Sequence, residues 1–135
     1  MPSGPHPLDP ADADELTEGV HILRSAGRLS DRAFFAFGQR AEPSRQELAM
    51  AAEGQDIDRI INFVGHDPER GQSFDAHVSL NNNEVLTIEW QERGQAPVTR
   101  NDVIMIYTIL ADNEDWIDAL AKRGIDDPSQ VHLEP

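Results

Sequence analysis

Cysteine is absent from this chain of 135 residues, which excludes a disulfide framework, zinc–thiolate sites and thiol catalysis. Positive charge is scarce: 11 Lys and Arg stand against 25 Asp and Glu, leaving a net charge of −14. Such a surface repels phosphate backbones and anionic lipid, so neither nucleic acid nor a membrane is expected as partner. Solubility explains most of it, and a basic protein partner fits it too. Long apolar runs are missing as well. The longest, residues 103–111, includes Tyr107 and Thr108 and is far too short to span a bilayer. The opening "MPSGPHPLDP" has neither the basic start nor the apolar run of a signal peptide. A soluble, cytoplasmic protein is the expectation.

The usual signatures of chemistry are missing in turn. The five histidines, His6, His21, His66, His77 and His132, form no H-x-H pair and no H-E-x-x-H motif, the spacings that bring adjacent ligands onto one metal. The acidic runs "DPADADE", "HDPE" and "DNED" lack the alternating oxygens, the glycine and the final glutamate of a calcium loop, and they read as helix caps and solvated turns. No G-x-S-x-G sets up a serine nucleophile. Gly65, Gly71 and Gly94 are scattered and build no phosphate cradle. By its own residues the chain selects no catalytic, cofactor-binding or metal-ligating position.

What is present is a folding pattern. At this length the chain is one ordinary domain, or one domain with an appendage, able to bury about two-thirds of its unfolded surface. Residues 1–10 carry four prolines and predict an extended arm. Asp12 or Asp14 caps a helix running to about Ala26, with Leu16, Val20 and Leu23 on one stripe and Gly27 ending it. In "RAFFAFGQR" strand alternation puts Phe35 and Phe37 on one face and Phe34 on the other. Ser44 and Glu47 form a capping box for a short helix, and "IDRIINFVGH" is a second strand. "SFDAHVSL" turns Phe74, Ala76, Val78 and Leu80 inward, "NNNE" makes a tight hairpin, and "VLTIEW" returns with Leu86, Ile88 and Trp90 on one face. The expected fold is α+β, a helix packed on an antiparallel meander, followed by a C-terminal helical extension.

That extension begins at Thr99 and holds two helical runs broken at residues 111–113. Val103, Ile106, Tyr107 and Leu110 form one apolar stripe, and Ile104, Met105 and Ile109 a second, offset around the helix. The second run buries Trp116, Ile117 and Leu120 and ends with Lys122 and Arg123 against the helix dipole, capped by Gly124. Val131, His132 and Leu133 then read as the start of a strand.

Both ends resemble a known family. "HPLDPADADEL", followed by the helix "TEGVHILRSAG", resembles the opening of the second N-terminal domain of copper amine oxidases, and "ALAKRGIDDPSQVHLEP" resembles the start of their third domain. The order of elements between them matches too, so the resemblance covers essentially the whole chain. It implies a cystatin-like fold and a non-catalytic role. In that family a large C-terminal β-sandwich domain oxidatively deaminates a primary amine to an aldehyde, releasing ammonia and peroxide. It uses one copper on three histidines and a topaquinone formed from the tyrosine of an Asn-Tyr-Asp/Glu motif. Here the one tyrosine, Tyr107 in "MIYTI", has no Asn before it and no acid after it, so no catalytic or metal residue carries over.

The resemblance therefore implies an arm over residues 1–10, a cystatin-like domain over 11–95, and over 96–135 the helical start of a third domain whose sheet comes from a partner. Leaving the second stripe wet exposes a patch that soluble monomers seldom tolerate, and covering about 400 Å² of apolar surface contributes on the order of 10 kcal/mol in gross transfer terms. The expected partner is a large catalytic amine oxidase subunit carrying the copper and topaquinone, in a dimer of heterodimers of the tyramine or phenylethylamine oxidase type. It begins where this chain stops. The expected interface is Ile104, Met105, Ile109, Trp116, Val131 and Leu133. Three alternatives remain: a fragment of one long oxidase, a free-standing cystatin-like binding module, and an independent enzyme on a cone-shaped α+β scaffold. The "NNNE" hairpin tip lacks the Gln-x-Val-x-Gly pattern of a cystatin inhibitor.

Overall fold

Helices begin where short polar side chains close their first turns. The Asp12 carboxylate accepts from the Glu15 amide at 2.8 Å and the Glu15 carboxylate from the Asp12 amide at 3.1 Å, opening α1 (Ala13–Ser25). Ser44 and Glu47 do the same for α2 (Arg45–Ala52). The computed structural model describes residues 6–94 and 96–133, in two compact units, Met1–Ala96 and Pro97–Pro135.

The first unit is an antiparallel meander in the order β1 (Phe34–Arg40), β2 (Ile60–Asp67), β3 (Gln72–Ser79), β4 (Glu84–Gln91), with α1 across one face. Ile22 and Leu23 of α1 join Ile61, Phe63, Phe74, Ala76 and Val78 in the core. Phe63 is held from both sides by missing side chains: a Cβ on Gly19 of α1, or on Gly38 of β1, would stand 2.7 Å from its ring. The fold is α+β, as the residue pattern predicts.

Alternation fails on both edge strands, for one physical reason. The register jumps between Phe35 and Phe37 in β1 and between His77 and Val78 along β3–β4, so each edge strand carries a bulge. The extra residue reverses every face beyond it. Phe35 keeps its core place, edge-on to Phe63 and Phe74, but Phe37 joins Phe34 on the outer face. In β4, Val85 takes the inward place opposite Val78 beside Ile88 and Trp90, while Leu86 turns out and stands 42% exposed. The expected pairing of Phe35 with Phe37, and of Leu86 with Ile88 and Trp90, is thus corrected. Phe35→Ser should cost about 3 kcal/mol and Phe37→Ser less than about 1 kcal/mol in urea unfolding. Equal costs would put both rings in the core and remove the bulge.

The N-terminal segment also differs from expectation. Met1–Pro5 lies outside the described residues. Beyond it the chain makes a turn instead of an extended arm, the Asp9 amide donating to the His6 carbonyl at 2.9 Å. Arg59 holds this turn, donating to the Pro10 carbonyl at 3.1 Å and to both carboxylate oxygens of Glu15 at 2.6 and 2.8 Å. The Arg59 hydrogen bond holds the Glu15 carboxyl below its ordinary pKa against a smaller upward push from burial.

Asp67, at the end of β2, is fully buried. Its carboxylate accepts from the Ser30 hydroxyl at 2.6 Å, the Ser30 amide at 2.9 Å and the Glu69 amide at 3.0 Å. One side chain therefore fixes both the loop before β1 and the β2–β3 turn.

Candidate partner interface

The second unit has α3 (Arg100–Ala111), α4 (Glu114–Ala121) and a 3-10 turn at Pro128–Gln130. Thr99 and Asp102 cap α3 reciprocally, and the Asn113 side chain accepts from the Trp116 amide at 2.8 Å to start α4. Between them lies the expected break.

At 100° per residue, Ile104, Met105 and Ile109 occupy one sector of α3 about 140° wide, and Val103, Ile106, Tyr107 and Leu110 the opposite side. The two sides differ in burial only in part. Val103 and Leu110 are half-buried, as are Trp116 and Ile117, and Leu120 is buried. Ile104 at 51%, Met105 at 61% and Ile109 at 60% are exposed. Three large apolar side chains within two turns of one helix face are an unusual surface to leave open to water.

Of the other expected interface residues, Trp116, Val131 and Leu133 are half-buried and offer less free surface. Residues 131–133 form no strand, which corrects the sequence expectation. A strand needs a neighbour, and the described residues of this unit hold helices only. The Leu133 amide instead donates to the Tyr107 hydroxyl at 3.0 Å. Ile106 and Tyr107, at 43% and 37% exposure, are more open than a covered stripe predicts.

Elsewhere the first unit has a cleft of about 340 Å³ between α1 and the β3–β4 turn, lined by Glu18, His21, Ile22, Asn83, Glu84 and Val85. On the outer sheet face the His77 imidazole lies 3.2 Å from the Thr87 hydroxyl and 3.8 Å from the Asp75 carboxylate. Among the described residues no three His, Asp or Glu side chains stand close enough to hold a metal ion, and no helix is long and apolar enough to cross a membrane.

Residues 12–87 match the family model of the AGAO-like N2 domain. Over 133 residues the chain is 29% identical to histamine oxidase of Arthrobacter globiformis, covering 96% of this chain and 19% of that protein. It is 26% identical over 134 residues to primary amine oxidase of Klebsiella aerogenes, covering 97% and 18%. A copper-containing benzylamine oxidase from Hansenula polymorpha shares the fold, with a TM-score of 0.65 and 18% identity over 87% of this chain and 19% of that one. The chain thus spans about a fifth of the length of the curated relatives it matches.

Proposed function

Since the chain belongs to the AGAO-like N2 domain family, the N-terminal region of copper amine oxidases, we propose that it is a non-catalytic small subunit of a heteromeric primary-amine oxidase. A larger polypeptide carries the remaining domains and the oxidative deamination of a primary amine, of the tyramine or phenylethylamine type. The observation that supports this most is the exposed Ile104–Met105–Ile109 face. It lies in a segment with counterparts in relatives that are five times longer, where the rest of the oxidase is available to cover it.

The described residues do not fit copper or topaquinone. The described residues supply no three-ligand set, and the Tyr107 hydroxyl is engaged by the Leu133 amide in a setting without the flanking Asn and acid. In this reading both belong to the partner, and this subunit shapes the periphery of the assembly.

Capture of the chain from its native extract tests the proposal. The expected result is a separate 15.0 kDa chain together with a larger polypeptide that contains copper and stains for quinone. Removing everything from Thr99 onward should abolish the association; capture that survives the cut would overturn the interface. A second reading rests on the alignments, since a continuous run of 18–19% of a single-chain relative equally fits a segment of one long oxidase. Native material running only as one large polypeptide would favour it.

A further inference from the structure

Basic residues are not spread evenly over this acidic chain. Between Arg24 and Ala41 stand four arginines and one acid, Asp31, whereas the rest carries seven bases against 24 acids. Two of the four arginines hold the fold together. The Arg24 guanidinium donates to the Ala33 carbonyl at 2.7 Å and lies over the Phe35 ring. Arg40 donates to the carbonyls of Ala41, Ile60 and Asp58 at 2.7, 3.0 and 3.1 Å. The other two, Arg28 and Arg32, are exposed, and among the described residues their guanidinium groups have no hydrogen bond and no ion pair. Nor are they needed to offset the α1 dipole, since Arg24 already stands in its last turn.

Arg28 and Arg32 sit in the loop that leads into β1, and that loop is held in place. Ser30, midway between them, is fixed by Asp67 through its amide and hydroxyl, and the Ala33 amide donates to the Ser30 carbonyl at 3.1 Å. Charges carried on a fixed loop lose little freedom when a partner pairs with them. Two residues after Arg32, Phe34 opens the outer face of β1 at 37% exposure, followed on that face by Phe37 at 39%. β1 is an edge strand and carries no acid. The opposite edge differs: on β4 the exposed Leu86 stands between Glu84 and Glu89 in a strand without a base. The first unit thus has exposed apolar side chains on both edge strands, and only at β1 do open aromatic rings adjoin open positive charge.

We infer that the β1 side of the first unit is a second contact surface for the larger oxidase polypeptide, and that an acidic segment with an apolar side chain lands on it. Its carboxylates pair with Arg28 and Arg32, and its apolar side chain packs on Phe34 and Phe37. This rests on the subunit reading above. The surface lies within or beside residues 12–87, a domain whose counterpart the curated relatives carry in one chain about five times longer. Charge decides the chemistry of the occupant. A chain of net charge −14 repels an acidic segment nearly everywhere, so this strip fixes where such a segment can settle. A second copy is disfavoured, because a two-fold contact through this strip sets arginine against arginine.

The test measures binding of the intact chain to the purified larger polypeptide at rising NaCl concentration. Wild type is compared with Arg28→Glu/Arg32→Glu, Arg28→Lys/Arg32→Lys, Phe34→Ser/Phe37→Ser and, on the opposite edge, Leu86→Ser. All substituted side chains are exposed, so circular dichroism should show an unchanged fold. The glutamate pair should bind about 30-fold more weakly at low salt, with the deficit shrinking as salt rises, and the lysine pair should stay within about threefold of wild type. The serine pair should bind about tenfold more weakly at every salt concentration, and Leu86→Ser like wild type. If the glutamate pair binds as well as wild type or better, the acidic segment is overturned while the assembly stands. A serine pair that binds like wild type, or a Leu86→Ser chain as weak as the serine pair, overturns the place of contact. If wild type does not bind the larger polypeptide at all, the subunit reading itself fails and this inference with it. Self-association in sedimentation that is lost in the glutamate pair would make a second copy the occupant and overturn the assignment to the larger polypeptide.

Discussion

Gly65→Ala should destabilise the first unit by about 3 kcal/mol or more, and Gly65→Val should leave it unfolded. Gly65 lies on β2 with its missing side chain aimed between strands: a Cβ there would collide with the Phe34 carbonyl oxygen and with the ring of Phe74. Phe74 is 1% exposed and packed against Phe35 and Trp90, so it has nowhere to retreat. The Phe34 oxygen is backbone, and moving it pulls β1 from β2 just where the bulge begins. The other close-packed glycines should be milder. Alanine at Gly19 meets the edge of the Phe63 ring, and at Gly38 the same ring and the tip of Leu16; no backbone atom stands in the way and α1 can shift slightly outward, so about 1–2 kcal/mol is expected. The ordering of urea midpoints, wild type above Gly19→Ala above Gly65→Ala, is the measurement. A Gly65→Ala protein within about 1 kcal/mol of wild type would mean that the β1–β2 pairing yields to a methyl group and that Gly65 does not fix it.

How much of this was legible depends on the range of the interactions involved. Capping boxes are closed within three residues, so Asp12, Ser44 and Thr99 announce their helices, and the break before Asn113 is readable for the same reason. The two sides of α3 follow from helical period alone, which is why Ile104, Met105 and Ile109 were identifiable as a face. Their exposure was not, because burial depends on what packs there. Bulges are set by pairing with a strand far along the chain. Nothing local in "FFAFG" says that Ala36 is skipped, so strand alternation puts Phe37 on the same face as Phe35. The resemblance at the two ends reached the family, which the match over residues 12–87 bears out.

Asp67 is the residue that sequence reading passed over most completely, and its removal should have the second large effect. In "HDPERGQ" it looks like an ordinary turn residue, yet it is buried, with the Ser30 and Glu69 amides donating to it. Asp67→Ala leaves those two amides and the Ser30 hydroxyl unpaired beneath the loop before β1, and about 3 kcal/mol of stability should be lost. Asp67→Asn keeps one acceptor and should cost about half as much. Acid separates this role from simple packing. Burial pushes the Asp67 carboxyl upward, but hydrogen bonds from the Ser30 side chain and the amides of Ser30, Glu69 and Arg70 outweigh it, and the net pKa lies below the ordinary value. A carboxyl with a depressed folded pKa stabilises fully above its unfolded value and loses that contribution as pH falls through the folded one. The stability gap between wild type and Asp67→Ala should therefore hold from pH 7 to about pH 4 and narrow below it. A gap that stayed constant under acid would mean that the shape of the Asp67 side chain, and not its charge, holds the loop to the sheet.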